Sequence, residues 1–337
     1  MLKLLDSHVR LPSPSAKNRN TELFEGVTPR PAIDLRKAYE LARGVARMQP
    51  DSRPGHRLVW AHGTSFASAT LSTNDPVAVV GRHTQCNVVL GEDPFVALRH
   101  LLVRSIALPS GGLALRVFDL HTDLGFVLPD GSRQTSIFAE GPVAIGIGEY
   151  ALVALPNETK EDKLPDALPV PVVETPPEMR DQIAAVANAM SPYRVNARPP
   201  LNTSRITLMP RPVMVGEALP QSLGRLVAGG RWGITLSRGT RMASMTLTEE
   251  DLVRGVMIGR SEKCHSEELR RITDVGTSRA HLMILREGAI TYAYDLASTQ
   301  GTFQGGEQVK RIAMSDAGTL LTLGRGDSHV RLCWQHA

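Results

Sequence analysis

The sequence predicts an all-β protein: two β-sandwiches in tandem, joined by a proline-rich linker, with short helices before the first sandwich and inside the linker. Three observations lead there. Short apolar runs recur with turn signals between them and almost no helical periodicity. A set of landmarks occurs twice in the same order, which marks a duplicated unit. Prolines gather between the two copies, with 12 of the 23 lying from Pro156 to Pro220. A length of 337 residues suits two ordinary domains plus connecting material.

The repeat is read from four landmarks. VAVVGRHTQCNVVL (Val77 to Leu90) and GVMIGRSEKCHSEEL (Gly255 to Leu269) share an apolar run, a Gly-Arg pair and a Cys four residues after the Arg. Each is followed by a cluster that ends in a His, FVALRH at His100 and GTSRAH at His281. Each then reaches an Asp-Leu pair, Asp119-Leu120 and Asp295-Leu296, and a Gly six residues after the Asp, Gly125 and Gly301.

Within the copies the strands follow from alternation and turns. AITYAYDL places Ile290, Tyr292 and Tyr294 on one face, and HVRLCWQ does the same with Val330, Leu332 and Trp334. HLLVRSIALPSGGLALRVFDL is two apolar runs joined at Pro109-Ser110-Gly111-Gly112, a hairpin signal. Pro129-Asp130-Gly131 marks another turn. The expected division is 1–55 tail and helix, 56–156 first sandwich, 157–223 linker, and 224–337 second sandwich.

The first thirty or so residues read as a tail. AIDLRKAYELARGVARMQP then predicts a helix with Ala38, Leu41, Val45 and Met48 on one face, ending before Pro50. The linker is expected to be extended, because proline excludes long helices and central strands. One island departs from this. Thr175 and Glu178 form a capping box around Pro176, and Met179, Ile183, Val186 and Met190 fall at helical spacing, a face expected to dock on a neighbouring domain.

Composition excludes several classes. No apolar run is long enough to span a bilayer, and the N-terminal apolar stretch is too short for a signal peptide. A soluble, cytoplasmic protein without a membrane partner is therefore expected. Three cysteines with no metal-ligand spacing argue against a disulfide scaffold or a zinc site. Cys86 and Cys264, at equivalent repeat positions, read as buried small hydrophobes. A net charge of +4 without a dense basic run gives only weak support to a nucleic-acid footprint, and a nucleic-acid partner is not expected. No cofactor motif is present.

The second copy carries the chemistry. A hydrolase reading would make Ser278 a nucleophile and His281 its base, oriented by Asp295. The competing reading, preferred here, gives His281 a loop-organising role. What the cluster does offer is a set of donors for a phosphate: the planar guanidinium of Arg260, the hydroxyls of Ser278 and Thr299, and a second cation in Arg279, with Arg270 and Arg271 nearby.

These residues resemble the forkhead-associated (FHA) domain, a β-sandwich that binds phosphothreonine peptides. Gly259-Arg260, Ser278-Arg279-Ala280-His281 and Ser298-Thr299-Gln300-Gly301-Thr302 follow the family pattern in order and spacing, over about Arg225 to Trp334. The resemblance implies that Arg260 and Ser278 grip the phosphate and that Thr299 assists. It sets Gln300 where the family uses Asn to hold the peptide backbone, and makes Gly259, His281 and Gly301 architectural. Gln300 is one methylene longer than Asn, which puts that backbone contact in question.

The first copy resembles the same family from about Arg57 to Leu155, with its site altered. Gly81, Arg82 and His100 remain. Ala97 replaces the Ser, and Asp123 and Leu124 stand where the second copy has Thr299 and Gln300. A carboxylate facing a phosphate costs on the order of 3–4 kcal/mol at an effective dielectric near 20. A lost hydrogen bond to a charged group costs about 1.5–3 kcal/mol more. Asp123 is also placed to pair with Arg82 and close the site. The expected function is thus a non-enzymatic signalling adaptor whose C-terminal domain reads phosphothreonine, made by a Ser/Thr protein kinase, on a partner protein. The N-terminal domain is then a phospho-independent scaffold. The alternative is an assembly protein in which both sandwiches bind unphosphorylated partners.

Overall fold

A computed structural model describes residues 31, 33–91, 93–108, 112–120, 122, 124–157, 164–168, 172–174, 205–208, 232–261, 264, 271–273, 276–287, 289–326 and 329–336. Helix α1 (Leu35–Met48) precedes β1 (Gly55–His62), β2 (Ser65–Ser72), β3 (Val77–Gly81), β4 (Val88–Val89), β5 (Leu101–Ala107) and β6 (Leu113–Asp119). Then come β7 (Phe126–Val127), β8 (Arg133–Gln134), β9 (Ser136–Glu140), β10 (Val143–Ile147) and β11 (Tyr150–Pro156). The linker contributes β12 (Val172–Glu174) and β13 (Arg205–Leu208). The second half is β14 (Trp232–Arg238), β15 (Arg241–Leu247), α2 (Glu249–Arg254), β16 (Val256–Ile258), β17 (Leu282–Glu287) and β18 (Ile290–Asp295). It ends with β19 (Thr302–Gln304), β20 (Glu307–Val309), β21 (Arg311–Met314), β22 (Thr319–Leu323) and β23 (Val330–His336). No helix among the described residues is long and apolar enough to cross a membrane.

The two halves share one strand order. In the first, β2-β1-β11-β10-β7-β8 faces a sheet containing β9-β6-β5-β3. In the second, β15-β14-β23-β22-β19-β20 faces β21-β18-β17-β16. Inward residues of the facing sheets fill each core: Leu58, Leu101, Val117 and Ile145 in the first, Ile234, Ile284, Leu332 and Trp334 in the second. The predicted β5–β6 hairpin pairs in full from Leu101↔Asp119 to Ala107↔Leu113, although residues 109–111 of its turn lie outside the described set. The Asp130-Gly131 turn closes with Gly131 N donating to Leu128 O at 2.9 Å.

Three elements differ from expectation. Helix α1 buries Ala38, Tyr39, Ala42 and Val45 against Val59, Ala144, Ala151 and Val153, the outer face of β1, β10 and β11. Its apolar face is therefore rotated toward the Tyr39 ring, and Met48, at the last turn, is 74% exposed. The linker holds two short strands: β12 runs parallel to β13, and β13 pairs antiparallel with β9, extending the first sandwich's sheet. The second helix expected from Thr175 to Met190 lies outside the described residues, as does the N-terminal tail. Helix α2 was not anticipated. Its signal was present, since Thr248 and Asp251 form a capping box, with Thr248 Oγ1 accepting from Asp251 N at 3.2 Å.

The sandwiches pack back to back. The outer faces of β3, β5 and β6 meet those of β16, β17 and β18 in one apolar cluster. All its buried members but Ala280 and Leu285 come in repeat-equivalent pairs: Val79 with Met257, Cys86 with Cys264, Leu102 with Met283, Phe118 with Tyr294, Leu120 with Leu296. The same patch thus meets its own counterpart, as in an isologous dimer interface. Beside it, Arg104 of β5 forms an ion pair with Glu287 of β17, both nearly buried, and Arg311 approaches the same carboxylate at 3.7 Å. The face predicted for Tyr292 and Tyr294 is real, but it turns to this junction. Thr291 and Ala293 take the inward side.

An unpaired carboxylate buried here costs several kcal/mol. The wild-type chain should therefore melt in a single calorimetric transition, and Leu102→Asp should split it in two. A single unchanged endotherm in the variant would show that the cluster does not couple the sandwiches.

Candidate functional site

Three loops meet at one end of the second sandwich: the Gly259-Arg260 turn after β16, the segment 276–281 before β17, and 296–301 between β18 and β19. Backbone bonds lock the first two together, with Arg260 N donating to Ser278 O at 3.0 Å and Ser261 N to Arg279 O at 3.1 Å. Gly259 permits this crossing, because a Cβ there would stand 2.0 Å from Arg279 O. The second and third loops are joined by His281. Its Nδ1 accepts from Ser278 N at 3.1 Å and its Nε2 lies 3.1 Å from Gly301 O. Since Nδ1 accepts, the proton sits on Nε2 and donates to the carbonyl.

The third loop folds around Asp295. Its carboxylate accepts from Ser298 N at 2.8 Å, Ser298 Oγ at 2.5 Å and Thr302 Oγ1 at 2.6 Å. This consumes Ser298 and leaves Thr299 and Gln300 exposed. Ser278, only 8% exposed, accepts from Thr299 N at 3.0 Å through its Oγ. Its own hydroxyl hydrogen remains available. Arg260 and Arg279 are exposed, and among the described residues the Arg260 side chain makes no hydrogen bond or ion pair. Arg271 is exposed on the adjoining segment, and Arg270 lies outside the described residues. The arrangement offers two hydroxyls and a free guanidinium fork on a rigid loop end, a donor set for an anion.

The hydrolase geometry is not formed. Ser278 Oγ bonds Thr299 N, and both nitrogens of His281 are engaged by backbone groups, so nucleophile and base do not meet. Burial also pushes the imidazole pKa down to about 4.

The family model for the FHA domain matches residues 256–324. This segment is an FHA domain. Solved structures similar to the chain include FHA-1 of Mycobacterium tuberculosis Rv1747, 17% identical, with 32% of this chain and 98% of that one covered and a TM-score of 0.25. The FhaA FHA domain complexed with the intracellular domain of Rv3910 is 27% identical over 30% of this chain and 98% of that one, TM-score 0.24. A third, from a structural and functional analysis of phosphothreonine-dependent FHA domain interactions, is 25% identical over 30% and 94%, TM-score 0.24. No curated protein matches in sequence.

The first sandwich repeats the loop ties of the second, with Ala97 at the position of Ser278. Ala97 N donates to His100 Nδ1 at 3.0 Å, and His100 Nε2 lies 2.9 Å from Gly125 O. Arg82 N bonds Ala97 O at 3.0 Å. The guanidinium of Arg82 is drawn in, donating through Nε to Val96 O. Leu124 is half-buried, and its carbonyl accepts from Arg133. Asp123, expected to pair with Arg82, lies outside the described residues.

One residue at the FHA site was not anticipated from sequence. Arg99 of the first sandwich reaches Ala297 O through Nε at 2.8 Å and through Nη2, and Nη2 also donates to Thr299 Oγ1 at 3.2 Å. The separation of 200 residues leaves no local pattern by which to find it.

The buried imidazoles set an acid limit. A His pKa depressed by folding stabilises the native state above the unfolded value, and this stability is lost as pH falls toward the folded value. For His281, between about 6.5 and about 4, the loss is on the order of 3 kcal/mol. His56, lowered by burial to about 3, and His100, lowered chiefly by burial, act in the same direction. Urea denaturation should show stability falling steadily from pH 6.5 to 4. A flat profile would mean that these rings are charged in the fold.

Proposed function

We propose that the chain is a non-enzymatic reader of phosphothreonine in a partner protein, acting through the FHA domain at residues 256–324. The observation that carries this is the tie between Ser278 Oγ and Thr299 N beneath an exposed Arg260. It leaves the Ser278 hydroxyl hydrogen free to donate, next to a loop that carries an exposed guanidinium. Arg260 and Ser278 grip the phosphate, Thr299 assists, and Arg279 is a rim cation. Gln300 faces the peptide backbone. The phosphate comes from a Ser/Thr protein kinase. The first sandwich is a phospho-independent scaffold, its own arginine spent on a backbone carbonyl.

Phosphothreonine peptides from a library with that residue fixed should bind the full chain, and unphosphorylated versions should not. A hydrogen bond to a charged group is worth about 1.5–3 kcal/mol. Arg260→Ala, which removes two such bonds, should weaken binding by at least a hundredfold in calorimetry. Equal affinity for phosphorylated and plain peptides would favour the assembly role instead.

In the first sandwich, Ala97→Ser with Asp123→Thr and Leu124→Asn should create measurable phosphothreonine affinity, read in a chain whose own site carries Arg260→Ala. The loop ties there are formed, and the change supplies the donors that are missing. If the triple variant folds and binds nothing, Arg82 is held too firmly on Val96 to be recruited.

A further inference from the structure

We propose that Arg99, carried by the first sandwich, completes the phosphopeptide site of the second, both orienting Thr299 and adding a cation to the phosphate. The inference rests on the reading of residues 256–324 as a phosphothreonine site.

Arg99 is a half-buried guanidinium whose hydrogen-bond partners are neutral. It donates to Ala297 O and to Thr299 Oγ1, and among the described residues it forms no ion pair. Burial draws its pKa downward, and Cys86 and the Asp295 carboxylate nearby offset only part of that cost. Among the described residues, Nη1 and its two hydrogens make no hydrogen bond. A cation held this way, at the edge of an anion-binding loop, is relieved by an incoming dianion.

The bond to Thr299 fixes a direction as well. Thr299 Oγ1 accepts from Arg99 at 3.2 Å, so its own hydrogen points away from the guanidinium. Ser278 Oγ likewise accepts from Thr299 N at 3.0 Å. Both hydroxyls therefore have an acceptor lone pair occupied inside the protein and a donor left for the ligand. A hydroxyl that accepts from a cation is also a stronger donor. Ala297, which receives the rest of Arg99, is the non-glycine residue with positive φ among those described, at 53°. Its carbonyl is held toward the first sandwich by Arg99.

The contribution runs one way. The repeat-equivalent of Arg99 is Ala280, which stops at its Cβ within the apolar cluster and sends no donor to the first sandwich. The second FHA site is thus built from both halves of the chain, and peptide binding is linked to docking of the sandwiches.

The test uses the full chain and the tightest peptide selected from a phosphothreonine-fixed library, with affinity read by fluorescence polarisation. Arg99→Ala should weaken binding by about tenfold or more. Arg99→Lys, which keeps the charge but cannot bridge Ala297 and Thr299, should recover part of the loss. Because Arg99 acts partly through Thr299, Arg99→Ala should cost clearly less in a Thr299→Val background than in wild type. Single-transition melting of each variant establishes that the sandwiches remain docked. Wild-type affinity in a docked Arg99→Ala chain, or tighter binding, would overturn the inference and leave the phosphothreonine reading standing. If the wild-type chain selects no phosphothreonine peptide, both fall.

Discussion

The loop ends of both sandwiches hang on an imidazole that meets no solvent. His281 accepts from the backbone of one loop and donates to the backbone of the next, and His100 does the same in the first half. A charged ring would lose the acceptor and face a backbone N–H with a proton. The arrangement therefore requires the neutral form, and burial enforces it. With the two loops pinned, Gly259 can pass under Arg279, Ser278 can reach Thr299 N, and Arg260 is left pointing outward. A binding surface on loops is normally soft. Here the loop geometry is fixed by bonds within the protein.

The junction between the sandwiches imposes the second constraint. A strand in an isolated sandwich buries one face, yet β5, β6 and β11 are buried along almost their whole length. The first sandwich is covered twice, by α1 over β1, β10 and β11 and by the second sandwich over β3, β5 and β6. The apolar part of the junction supplies the attraction. The Arg104–Glu287 pair, with Arg116 and Arg311 beside it, fixes register, since removing either partner strands a buried charge. Desolvation, with Arg104 close by, brings Arg116 down to about 9.

How much of this could be read in the sequence depends on range. The Gly-Arg, His and Asp-Leu landmarks were legible because each is a local backbone device: a close crossing, a loop tie, an Asx-type turn around Asp295. Val330, Leu332 and Trp334 were legible because β23 buries one face in its own domain. Tyr292 and Tyr294 were assigned to the right face, but not to the junction it covers, since alternation marks a buried side and not its partner. The adjacent apolar pairs Leu101-Leu102 of β5 and Val117-Phe118 of β6 did carry that information, since apolar residues on both sides of a strand mark two buried faces. The linker strands β12 and β13 escaped because proline content argues against central strands but does not forbid short ones added beyond β9.

Arg99 ties the loop outline of the first sandwich to a loop of the second. It stands between Leu98, whose carbonyl accepts from His83 N at 2.9 Å, and His100, whose ring ties Ala97 to Gly125. The crossing over Gly81, where a Cβ would lie 2.4 Å from Leu98 O, fixes the same turn from below. With Ala97 and Leu124 at these positions the frame still forms. Removing Gly81 or His100 would move the stalk on which Arg99 is carried. The frame residues and the donor residues of the first copy thus answer to different demands. The side chains of Ala97 and Leu124 bear on neither tie, and the frame matters to the loop at Ala297 and Thr299 in the second sandwich.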